Sequence, residues 1–474
     1  MDVKFIDRLD EMERLDALIA RTEGGLAVLW GRRRVGKTRL LLEWSSRHQG
    51  LYTVADESAA TVQRTYFARA VANRFPEFDE VTYPDWHALL RRLSGRCQAA
   101  KWRGPLIIDE FPYLVAANPP FASIFQNWLD RDARSAGLVV AVAGSSQRMM
   151  QGIVLEANAP LFGRAAELIE LRPLLPGYVA DAFEAVGPRR AVELYAVWGG
   201  IPRYWELASP LGRDLDQAVD RLVLDPLGAL HREPDRLLLE ESPPAVSLRP
   251  LLDVIGAGAN RVSEIARRLG QPATSLSRPL ARLVQLGLVK RELPYGESEK
   301  SSKLAVYRIA DPFFRFWFCT VASRRSLFVG SPAETRVAVW QERRTSLESE
   351  TWEELCRTGV SYLHRGENAL GRLGPWEPAR RYWKGSGPEW DVVAASLDGK
   401  RLLLGEAKWL SEPADSSMLS GIAAGLTRKG NIPVSLAGNR EVVWAVFVPE
   451  LRRGSRLPAG VHAVDAASVL SCLR

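Results

Sequence analysis

Residues Gly31-Arg32-Arg33-Arg34-Val35-Gly36-Lys37-Thr38 read GRRRVGKT, which has the spacing G-x-x-x-x-G-K-[ST] of a phosphate-binding loop. The loop follows the apolar run 26–30 (LAVLW) and precedes 39–44 (RLLLEW), which has a helical pattern. A strand before the loop and a helix after it separate a working loop from a chance match. The chain is therefore predicted to bind a nucleoside triphosphate.

The residue types of this loop have separate physical roles. Gly31 and Gly36 permit backbone conformations and a close phosphate approach that a Cβ atom would hinder. The helix that follows adds its positive N-terminal end. Lys37 is predicted to reach the β- and γ-phosphate oxygens of ATP, and the Thr38 hydroxyl to ligate the accompanying Mg²⁺. The predicted cofactor-binding segment also includes the less informative positions Arg32, Arg33, Arg34, Val35 and Arg39.

Length and composition limit the class of protein. A chain of 474 residues is too long for one ordinary core, and about three domains are expected. Its 46% hydrophobic and 25% charged residues are typical of a globular protein rather than a disordered or fibrous one. The four cysteines are far apart with no C-x-x-C pair, which argues against a disulfide framework and a zinc site. The net charge of +7 permits an acidic partner without indicating nucleic acid.

The N-terminus and the hydropathy pattern bear on location. Residues 1–4 (MDVK) begin without the apolar core of a signal peptide, and no run of about eighteen apolar residues occurs. The expected compartment is the cytoplasm, with no membrane partner.

Two further strand ends carry polar residues. The apolar run 106–108 (LII) ends in Asp109-Glu110, as a Walker B motif requires. Asp109 is predicted to hold Mg²⁺, and Glu110 to orient or deprotonate the attacking water. The run 138–143 leads to Ser145, which is either a sensor of the γ-phosphate or only a helix cap. Helical segments between these strands predict an α/β fold with a parallel sheet.

Several motifs occur in the order found in one family. Residues 5–15 (FIDRLDEMERL), 109–114 (DEFPYL), 144–146 (GSS), 161–164 (LFGR) and 199–204 (GGIPRY) together resemble the archaeal-type ATPases of the STAND branch of the AAA+ class. The resemblance covers about the first half of the chain, and the shared order is more specific than any single motif.

The resemblance implies further site residues. Phe5 to Arg8 would border the base of the nucleotide, although Asp7 replaces the family's usual Gly. Arg164 would place a guanidinium on the γ-phosphate, within one chain or across a subunit boundary, so a homo-oligomer stays open. Pro202 would belong to a helical lid that senses the nucleotide.

After residue 246 the sequence changes to short amphipathic helices and one basic hairpin, which predicts a winged helix. A capped helix at 262–270, a turn, a second helix to 287 and a hairpin with a polar loop at 296–303 give this order. DNA contact and rigid packing on the ATPase remain alternatives for this module. Its predicted basic face consists of Arg261, Arg267, Arg268, Arg278, Arg282, Lys290 and Arg291.

The last part of the chain contains two carboxylates and a lysine on predicted strands. Asp391 lies in the run 389–395 (EWDVVAA), and Glu406 and Lys408 lie two apart in 401–409 (RLLLGEAKW), after a hairpin turn at 397–400. Because residues two apart on a strand share a face, Asp391 can lie beside Glu406 and Lys408. Asp391 and Glu406 would hold Mg²⁺ or Mn²⁺, and Lys408 would position or activate water.

This segment resembles the domain of the PD-(D/E)XK, or restriction-endonuclease-like, class that accompanies these ATPases. In such sites a neighbouring helix often lends another acid, here either Glu353 or Glu354, and Glu389 is either a third acid or a strand-end charge. An incidental Glu-x-Lys at a strand edge is the alternative.

Five segments and one leading function follow from these patterns. The predicted fold is α/β: an AAA+-type P-loop core at 1–170, a helical lid at 171–245, a winged helix at 246–311, a helical connector at 312–345 and an α/β restriction-endonuclease-like domain at 346–474. The predicted function is an ATP-binding and ATP-hydrolysing STAND-type switch that controls a metal-dependent nuclease-like domain, with DNA as the expected partner. The alternative is a regulatory or DNA-binding protein whose nuclease fold is inactive. The DNA sequence, the pathway and the activating signal are left open.

Overall fold

The computed structural model describes residues 5–156, 159–184, 186–212, 214–241, 248–300, 304–385 and 387–474. They form two compact units. The first, called here the P-loop unit, comprises 5–173 with 201–203, and the second, called the C-terminal unit, comprises 174–200 with 204–474. The predicted boundary at 245/246 and the end of the predicted wing loop, 301–303, lie outside the described residues.

The P-loop unit contains a five-stranded parallel sheet, which confirms the predicted α/β fold. Its strands are β1 (Gly25–Trp30), β2 (Leu51–Val54), β3 (Leu106–Asp109), β4 (Val139–Gly144) and β5 (Ala165–Glu170). Its helices are α1 (Leu9–Ala20), α2 (Lys37–Arg47), α3 (Ala60–Ala72), α4 (Trp86–Ala100), α5 (Pro112–Ala117), α6 (Phe121–Trp128) and α7 (Gln147–Met150). Every residue of β3 and β4 is buried, because packed side chains cover both faces, and this explains their continuous apolar sequences.

The strand order β2-β3-β4-β1-β5 positions the first candidate site. Strand β4 lies between β1, which leads into the phosphate loop, and β3, which ends at Asp109. Because the strands are parallel, all three carboxyl ends lie at one edge of the sheet. Lys37, Asp109 and Ser145 are therefore brought to the same edge.

The region after the P-loop unit is helical and leads into the winged helix. The helices of the predicted lid are α8 (Val179–Ala182), α9 (Pro188–Trp198), α10 (Pro202–Ala208), α11 (Leu215–Val219) and α12 (Glu233–Glu241). The winged helix contains α13 (Arg249–Gly256), α14 (Val262–Leu269), α15 (Ser277–Gln285) and the antiparallel strands β6 (Val289–Glu292) and β7 (Val306–Ile309).

Three helices connect the winged helix to the last sheet: α16 (Pro312–Thr320), α17 (Arg325–Gly330) and α18 (Ala333–Val360). The four large rings of Phe313, Phe314, Phe316 and Trp317 are fully buried, which is the core role that their aromatic sequence predicted. No helix among the described residues is long and apolar enough to cross a membrane.

Helix α18 passes without interruption through the predicted boundary at 345/346. Val339, Trp340, Leu347, Trp352 and Leu355 are buried along it at helical spacing. Since this apolar stripe continues across the boundary, packing gives the helix no reason to end there.

The last sheet is mixed and follows α18. Its elements are β8 (Arg380–Tyr382), β9 (Trp390–Ala395), β10 (Arg401–Ala407), α19 (Ser416–Thr427), α20 (Val434–Ala437), β11 (Glu441–Phe447), β12 (Val461–Val464) and α21 (Ala466–Cys472). Strands β8, β9 and β10 are antiparallel neighbours, whereas β10, β11 and β12 run parallel to one another. Asp391 on β9 and Glu406 on β10 therefore lie on adjacent strands.

A buried ionic cluster joins the wing to α16 and α18. Lys290 Nζ lies 2.6 Å from Glu354 Oε1, and Arg315 Nη2 donates to Glu354 Oε2 at 2.5 Å. The prediction that Lys290 belongs to an exposed basic face is therefore wrong. Side chains alternate along a strand, and Lys290 and Glu292 share the face of β6 that is turned toward Glu354. Burial alone would raise the pKa of Glu354, but Lys290 and Arg315 outweigh it and lower the pKa to about 2.

Replacing Glu354 with glutamine is expected to lower the free energy of unfolding by about 3 kcal/mol, because Lys290 and Arg315 lose the carboxylate that they share and retain only Glu292 and Glu350 as counter-charges. Urea unfolding measures this change. The matched control, Glu342→Gln on the same helix, removes a carboxylate that is 63% exposed and should change stability by less than about 0.5 kcal/mol. Equal effects of the two substitutions would contradict the prediction.

The Glu354 carboxylate also predicts a pH dependence. Because its folded pKa is depressed, its contribution to stability is fully present above the ordinary value of 4.5 and is lost as pH falls through about 2. Acid unfolding of Glu354→Gln should therefore show a shallower dependence on pH in this window than that of the unchanged protein.

Candidate functional site

The phosphate loop lies between β1 and α2, as predicted. Lys37 is the first residue of α2 and only 4% exposed, and its Nζ donates to the carbonyl oxygens of Gly31 at 2.7 Å and Arg32 at 3.2 Å. Gly36 has φ 101°, a conformation that strongly favours glycine, and a Cβ added there would lie 3.6 Å from Pro202 Cγ. The geometry thus brings Lys37, Gly36 and Pro202 together.

Thr38 and Asp109, which are predicted to bind magnesium, are hydrogen-bonded to each other. Thr38 Oγ1 donates to Asp109 Oδ2 at 2.7 Å, and the Tyr52 hydroxyl donates to the same oxygen at 2.9 Å. Burial, followed by the charge of Asp109, raises the pKa of Tyr52, so the phenol stays protonated. Asp109 is 1% exposed and forms no ion pair among the described residues. A buried carboxylate beside a hydroxyl, without a cation, fits Mg²⁺, which prefers such oxygen ligands.

Ser145 holds the carboxylate of Glu110. Its hydroxyl donates to Glu110 Oε1 at 2.5 Å, and its backbone N–H donates to Oε2 at 3.2 Å. The two bonds fix the direction of the carboxylate beside Asp109, whose Oδ1 accepts from the Glu110 N–H at 2.9 Å. The sequence leaves Ser145 as either a sensor of the γ-phosphate or only a helix cap, and it does not predict this contact with Glu110.

Arg164 is bound elsewhere in the structure. Its Nε and Nη2 atoms each donate to Asp130 at 3.1 Å, and Nη1 donates to the Pro160 carbonyl oxygen at 3.2 Å. The sequence gave no signal for Asp130, which follows α6 in a π-helical turn. The role of Arg164 at the γ-phosphate stays a prediction.

Arg8 links the backbone of the phosphate loop to the segment after β5. Its Nη2 donates to the carbonyl oxygens of Val35 at 2.9 Å and Arg172 at 2.7 Å. Asp7 has φ 63°, a left-handed conformation that explains the Gly of the family motif at this position. Phe5 packs against the core on the α1 and α2 side of the sheet. The contact of Phe5 and Arg8 with the nucleotide base stays a prediction.

Among the variable loop positions, Arg33 donates to the Tyr113 hydroxyl at 3.4 Å, and Arg34 has φ 67°. Neither observation shows that the side chain of Arg33 or Arg34 would contact a phosphate.

The C-terminal unit brings Asp391, Glu406 and Lys408 together at the adjacent strands β9 and β10. Asp391 Oδ2 accepts from the Ala407 N–H at 3.1 Å, and Lys408 Nζ lies 2.8 Å from Glu406 Oε1. Burial, followed by the charge of Glu406, raises the pKa of Asp391. Burial would lower the pKa of Lys408, but its hydrogen bond with Glu406 and the nearby acids outweigh this and raise it, so the ammonium is retained.

Lys429 is a member of this cluster that sequence reasoning missed. It lies just after α19, where its Nζ contacts Glu406 Oε2 and donates to the Glu389 carbonyl oxygen at 2.8 Å. Both oxygens of Glu406 are therefore held by ammonium groups, one from Lys408 and one from Lys429. The contact depends on the fold of the domain, because 23 residues separate Lys429 from Glu406 and no motif links them.

Of the two candidate acids on α18, only Glu353 faces Asp391. Burial, followed by the charge of Asp391, raises the pKa of Glu353. Arg357 lies between them: it donates to the Asp391 carbonyl oxygen at 3.2 Å and lies 3.7 Å from Glu353 Oε2. Glu354 instead belongs to the buried ionic cluster at the wing.

The donor set of this second cluster matches Mg²⁺ or Mn²⁺ in kind, since Asp391 and Glu406 supply carboxylate oxygens. Within the described residues, however, no group of three or more His, Cys, Asp or Glu side chains is arranged to hold a metal ion. Asp391 and Glu406 would therefore be the protein ligands, and Glu406 would have to exchange an ammonium contact for the ion.

Residues 5–207 match the model of an ATPase domain predominantly from Archaea. The chain contains an archaeal-type ATPase domain. The match covers the phosphate loop, Asp109, Glu110 and the segment around Pro202, whose geometry is described above. A second match, to the MarR family, covers residues 250–296 and so includes α13, α14, α15 and β6 of the winged helix.

Similarity to individual proteins extends beyond the ATPase domain. An uncharacterized protein of Methanocaldococcus jannaschii is 28% identical over 412 residues, which cover 85% of this chain and 87% of that protein. The Walker-type ATPase of Pyrococcus abyssi has a TM-score of 0.52 at 19% identity, covering 66% of this chain and 96% of that one, and therefore has a similar fold. The ORC2 protein of Aeropyrum pernix has a TM-score of 0.43 at 15% identity and covers 73% and 96% of the two chains.

Proposed function

We propose that this archaeal-type ATPase is a STAND-type switch whose ATP site controls a metal-dependent nuclease site in its C-terminal unit, with DNA as the substrate. The observation that supports this most strongly is the cluster of Asp391, Glu406 and Lys408 on two adjacent strands. The same chain contains Lys37, Thr38 and Asp109 in the geometry of a nucleotide site. One chain therefore contains the residue types that a nucleotide-dependent switch and a phosphodiester-cleaving centre would each need.

At the ATP site, the residues have complementary roles. Lys37 would exchange the Gly31 and Arg32 carbonyls for β- and γ-phosphate oxygens, and Thr38 and Asp109 would hold Mg²⁺, which would neutralise phosphate charge. Ser145 orients Glu110. Glu110 either positions the attacking water or accepts a proton from it. Arg164 becomes available to the γ-phosphate only if its bonds with Asp130 break.

At the second site, the charged residues divide between acids and cations. Asp391 and Glu406 would hold the divalent ion, which would supply charge stabilisation at the scissile phosphate. Lys408 remains protonated and directs its ammonium at the phosphate oxygens, where negative charge develops. Lys429 restrains Glu406 from the opposite side, and Glu353 and Arg357 fix the surroundings of Asp391.

The test is cleavage of linear and circular duplex DNA and single-stranded DNA by the purified protein in Mg²⁺ or Mn²⁺, with and without ATP. Metal-dependent cutting whose rate changes with ATP is expected. Cutting that is indifferent to ATP would contradict the switch, and cutting that survives loss of Lys408 would contradict the site.

A second function is supported by one specific observation, namely that both oxygens of Glu406 are held by lysines. Such a cluster neutralises its own acids, as expected of a nuclease fold retained as a regulatory or DNA-binding scaffold. Titration of the protein with Mn²⁺ separates the two proposals. Binding that Glu406→Gln removes favours the enzyme, whereas absence of Glu406-dependent binding favours the scaffold.

We also propose that the winged helix contacts DNA. Arg267 and Arg278 are exposed on α14 and α15 and form no ion pair among the described residues. Lys290 is excluded from this surface by its pairing with Glu354, Arg268 pairs with Glu264, and Arg282 donates to Gln285. Arg267 and Arg278 thus offer one exposed cation on each of the two helices of the helix-turn-helix.

Replacing both Arg267 and Arg278 with glutamine is expected to weaken duplex DNA binding and to reduce the slope of log affinity against log salt by about 0.9 for each lost phosphate contact. Fluorescence anisotropy over a range of KCl concentrations measures both quantities. Arg372→Gln, which removes an exposed arginine outside this module, is the control. An unchanged slope in the double variant would place the DNA contact elsewhere.

A further inference from the structure

Strand β8, the last strand of the C-terminal sheet, places an arginine opposite Asp391. The pairs that flank this arginine, Arg381, are Arg380–Val393 and Tyr382–Trp390. Between these pairs β9 has one residue more than β8, so Asp391 and Val392 both lie opposite Arg381. Arg381 is therefore the residue of β8 that lies across from the proposed metal ligand.

Arg381 also points to the same face of the sheet as Asp391. The rings of Tyr382 and Trp390 contact each other, with their centroids 5.6 Å apart, so these two side chains share one face. Since neighbouring residues of a strand point to opposite faces, Arg381 and Asp391 share the other. Burial raises the pKa of Asp391 and of Glu353, and the positive charge of Arg381 opposes the rise at both carboxyls. The guanidinium of Arg381 therefore faces these acids.

The charge of Arg381 is not compensated by an ion pair. Its side chain is half-buried and forms neither an ion pair nor a hydrogen bond within the part of the chain that the structure describes. Its guanidinium nitrogens are open to solvent, because none of them is both buried and without a partner. A ligand from solution can therefore reach them.

The other cations of the second site are already paired. The ion pairs are Lys408 and Lys429 with Glu406, and Arg357 with Glu353. Asp391 accepts from the Ala407 N–H but, like Arg381, forms no ion pair among the described residues. One acid and one cation, on adjacent strands and on the same face, are thus left without a counter-charge.

A metal ion and a phosphate together would satisfy both groups. A divalent cation fits the Asp391 carboxylate. A guanidinium matches the non-bridging oxygens of a phosphodiester, because its planar fork can donate two parallel N–H bonds to them. Lys408 supplies only a point charge and is already bound to Glu406. Arg381 is therefore suited to fix the orientation of a phosphate that Lys408 and the metal ion attract.

We propose that Arg381 is a further substrate-binding residue of the second site, where its guanidinium holds the non-bridging oxygens of the scissile phosphate of DNA. This inference rests on the proposed nuclease function. Arg381 would place the phosphodiester beside the ion held by Asp391 and Glu406, on the side of β8.

Replacing Arg381 with glutamine is expected to reduce metal-dependent cleavage of end-labelled DNA by about a hundredfold, as removal of one preorganised donor to a reacting oxyanion does. Arg380→Gln is the matched control. Arg380 is the preceding residue of β8 and is exposed, and it pairs at 3.4 Å with the exposed Glu299. Because exposed ion pairs contribute little to stability, its loss should leave the cleavage rate nearly unchanged.

Two binding measurements separate contact with DNA from support of the metal ligands. Anisotropy of a short labelled duplex, with Ca²⁺ in place of Mn²⁺ to slow cleavage, gives the DNA affinity. It is measured with Arg267 and Arg278 both replaced by glutamine, so that the winged helix contributes as little as possible. Arg381→Gln is expected to weaken this binding by about tenfold, whereas Arg380→Gln is not.

The affinity for Mn²⁺ is the second measurement. Loss of a positive charge near Asp391 should leave Mn²⁺ binding equal or tighter, because a nearby cation repels the ion. A residue that only positions Asp391 would instead weaken Mn²⁺ binding when it is replaced. Weaker Mn²⁺ binding by Arg381→Gln would therefore overturn the assignment to substrate.

Arg381→Lys keeps the test decisive if the glutamine variant is poorly folded. It retains the charge but loses the two parallel donors, and relative to Arg380→Lys it is expected to cleave more slowly. Equal binding and cleavage by the Arg381 variants and their Arg380 controls would overturn the proposal and leave the nuclease function standing. If the unchanged protein cuts no DNA, the nuclease function fails instead. The DNA affinities then decide alone: a loss only in the Arg381 variants supports the phosphate contact, and equal affinities overturn it.

Discussion

Replacing Lys37 with alanine is expected to weaken ATP binding by about tenfold to a hundredfold and to abolish hydrolysis. The Lys37 ammonium is buried at the loop, where carbonyl oxygens of Gly31 and Arg32 hold it close to the position of the phosphates. Its loss removes charge-assisted hydrogen bonds worth about 1.5–3 kcal/mol each in binding. It also removes positive charge that stabilises phosphoryl transfer.

Calorimetric titration with a slowly hydrolysed ATP analogue measures the first effect, and phosphate release measures the second. Arg91→Ala, which removes an exposed cation of α4, controls for the change in net charge. The assignment of the loop fails if Lys37→Ala binds and hydrolyses ATP like the control. If the switch operates as proposed, Lys37→Ala also removes the effect of ATP on DNA cleavage.

Replacing Lys408 with alanine is expected to reduce metal-dependent DNA cleavage by about a hundredfold to a thousandfold, the cost of removing one stabilising group at a developing oxyanion. Lys408 is half-exposed, so the substitution leaves the core of β10 intact. Its ammonium is bound to Glu406 and retains its proton, and it therefore supplies a positive charge rather than a base.

Lys400→Ala is a closely matched control for Lys408. Lys400 lies in the exposed turn of the same β9–β10 hairpin, so its loss changes the net charge equally without touching the carboxylates. Gel analysis of end-labelled DNA over time gives the rates. A cleavage rate that falls equally in both variants indicates a general effect of charge on DNA affinity, and this outcome would remove Lys408 from the site.

Local sequence predicted the parts of both sites that depend on strands and their ends. The phosphate loop, Asp109-Glu110 and Ser145 each follow a buried apolar strand, and parallel strands place such ends at one edge. Asp391 and Glu406 were predictable for a similar reason, since a short turn between two apolar runs indicates a hairpin.

Contacts between distant segments were not predictable in the same way. Lys429 contacts Glu406 from the turn after α19, and Asp130 contacts Arg164 from the turn after α6. No sequence pattern predicts either ion pair. The sequence predicts Lys290 as part of the basic face of the winged helix, because composition does not reveal which face of β6 packs against α18. Of Glu353 and Glu354, only the rotation of α18 in the fold decides which one approaches Asp391.

Helix α18 has a practical consequence for dividing the protein into fragments. Its 28 residues span about 42 Å at 1.5 Å per residue. A fragment that begins at residue 346 would start in the middle of α18. It would lack Trp340, which is fully buried. A fragment that ends at 345 would expose the other half of the same apolar stripe. The natural place to cut is the Ser331-Pro332 segment just before the helix, so that the last sheet keeps its first helix whole.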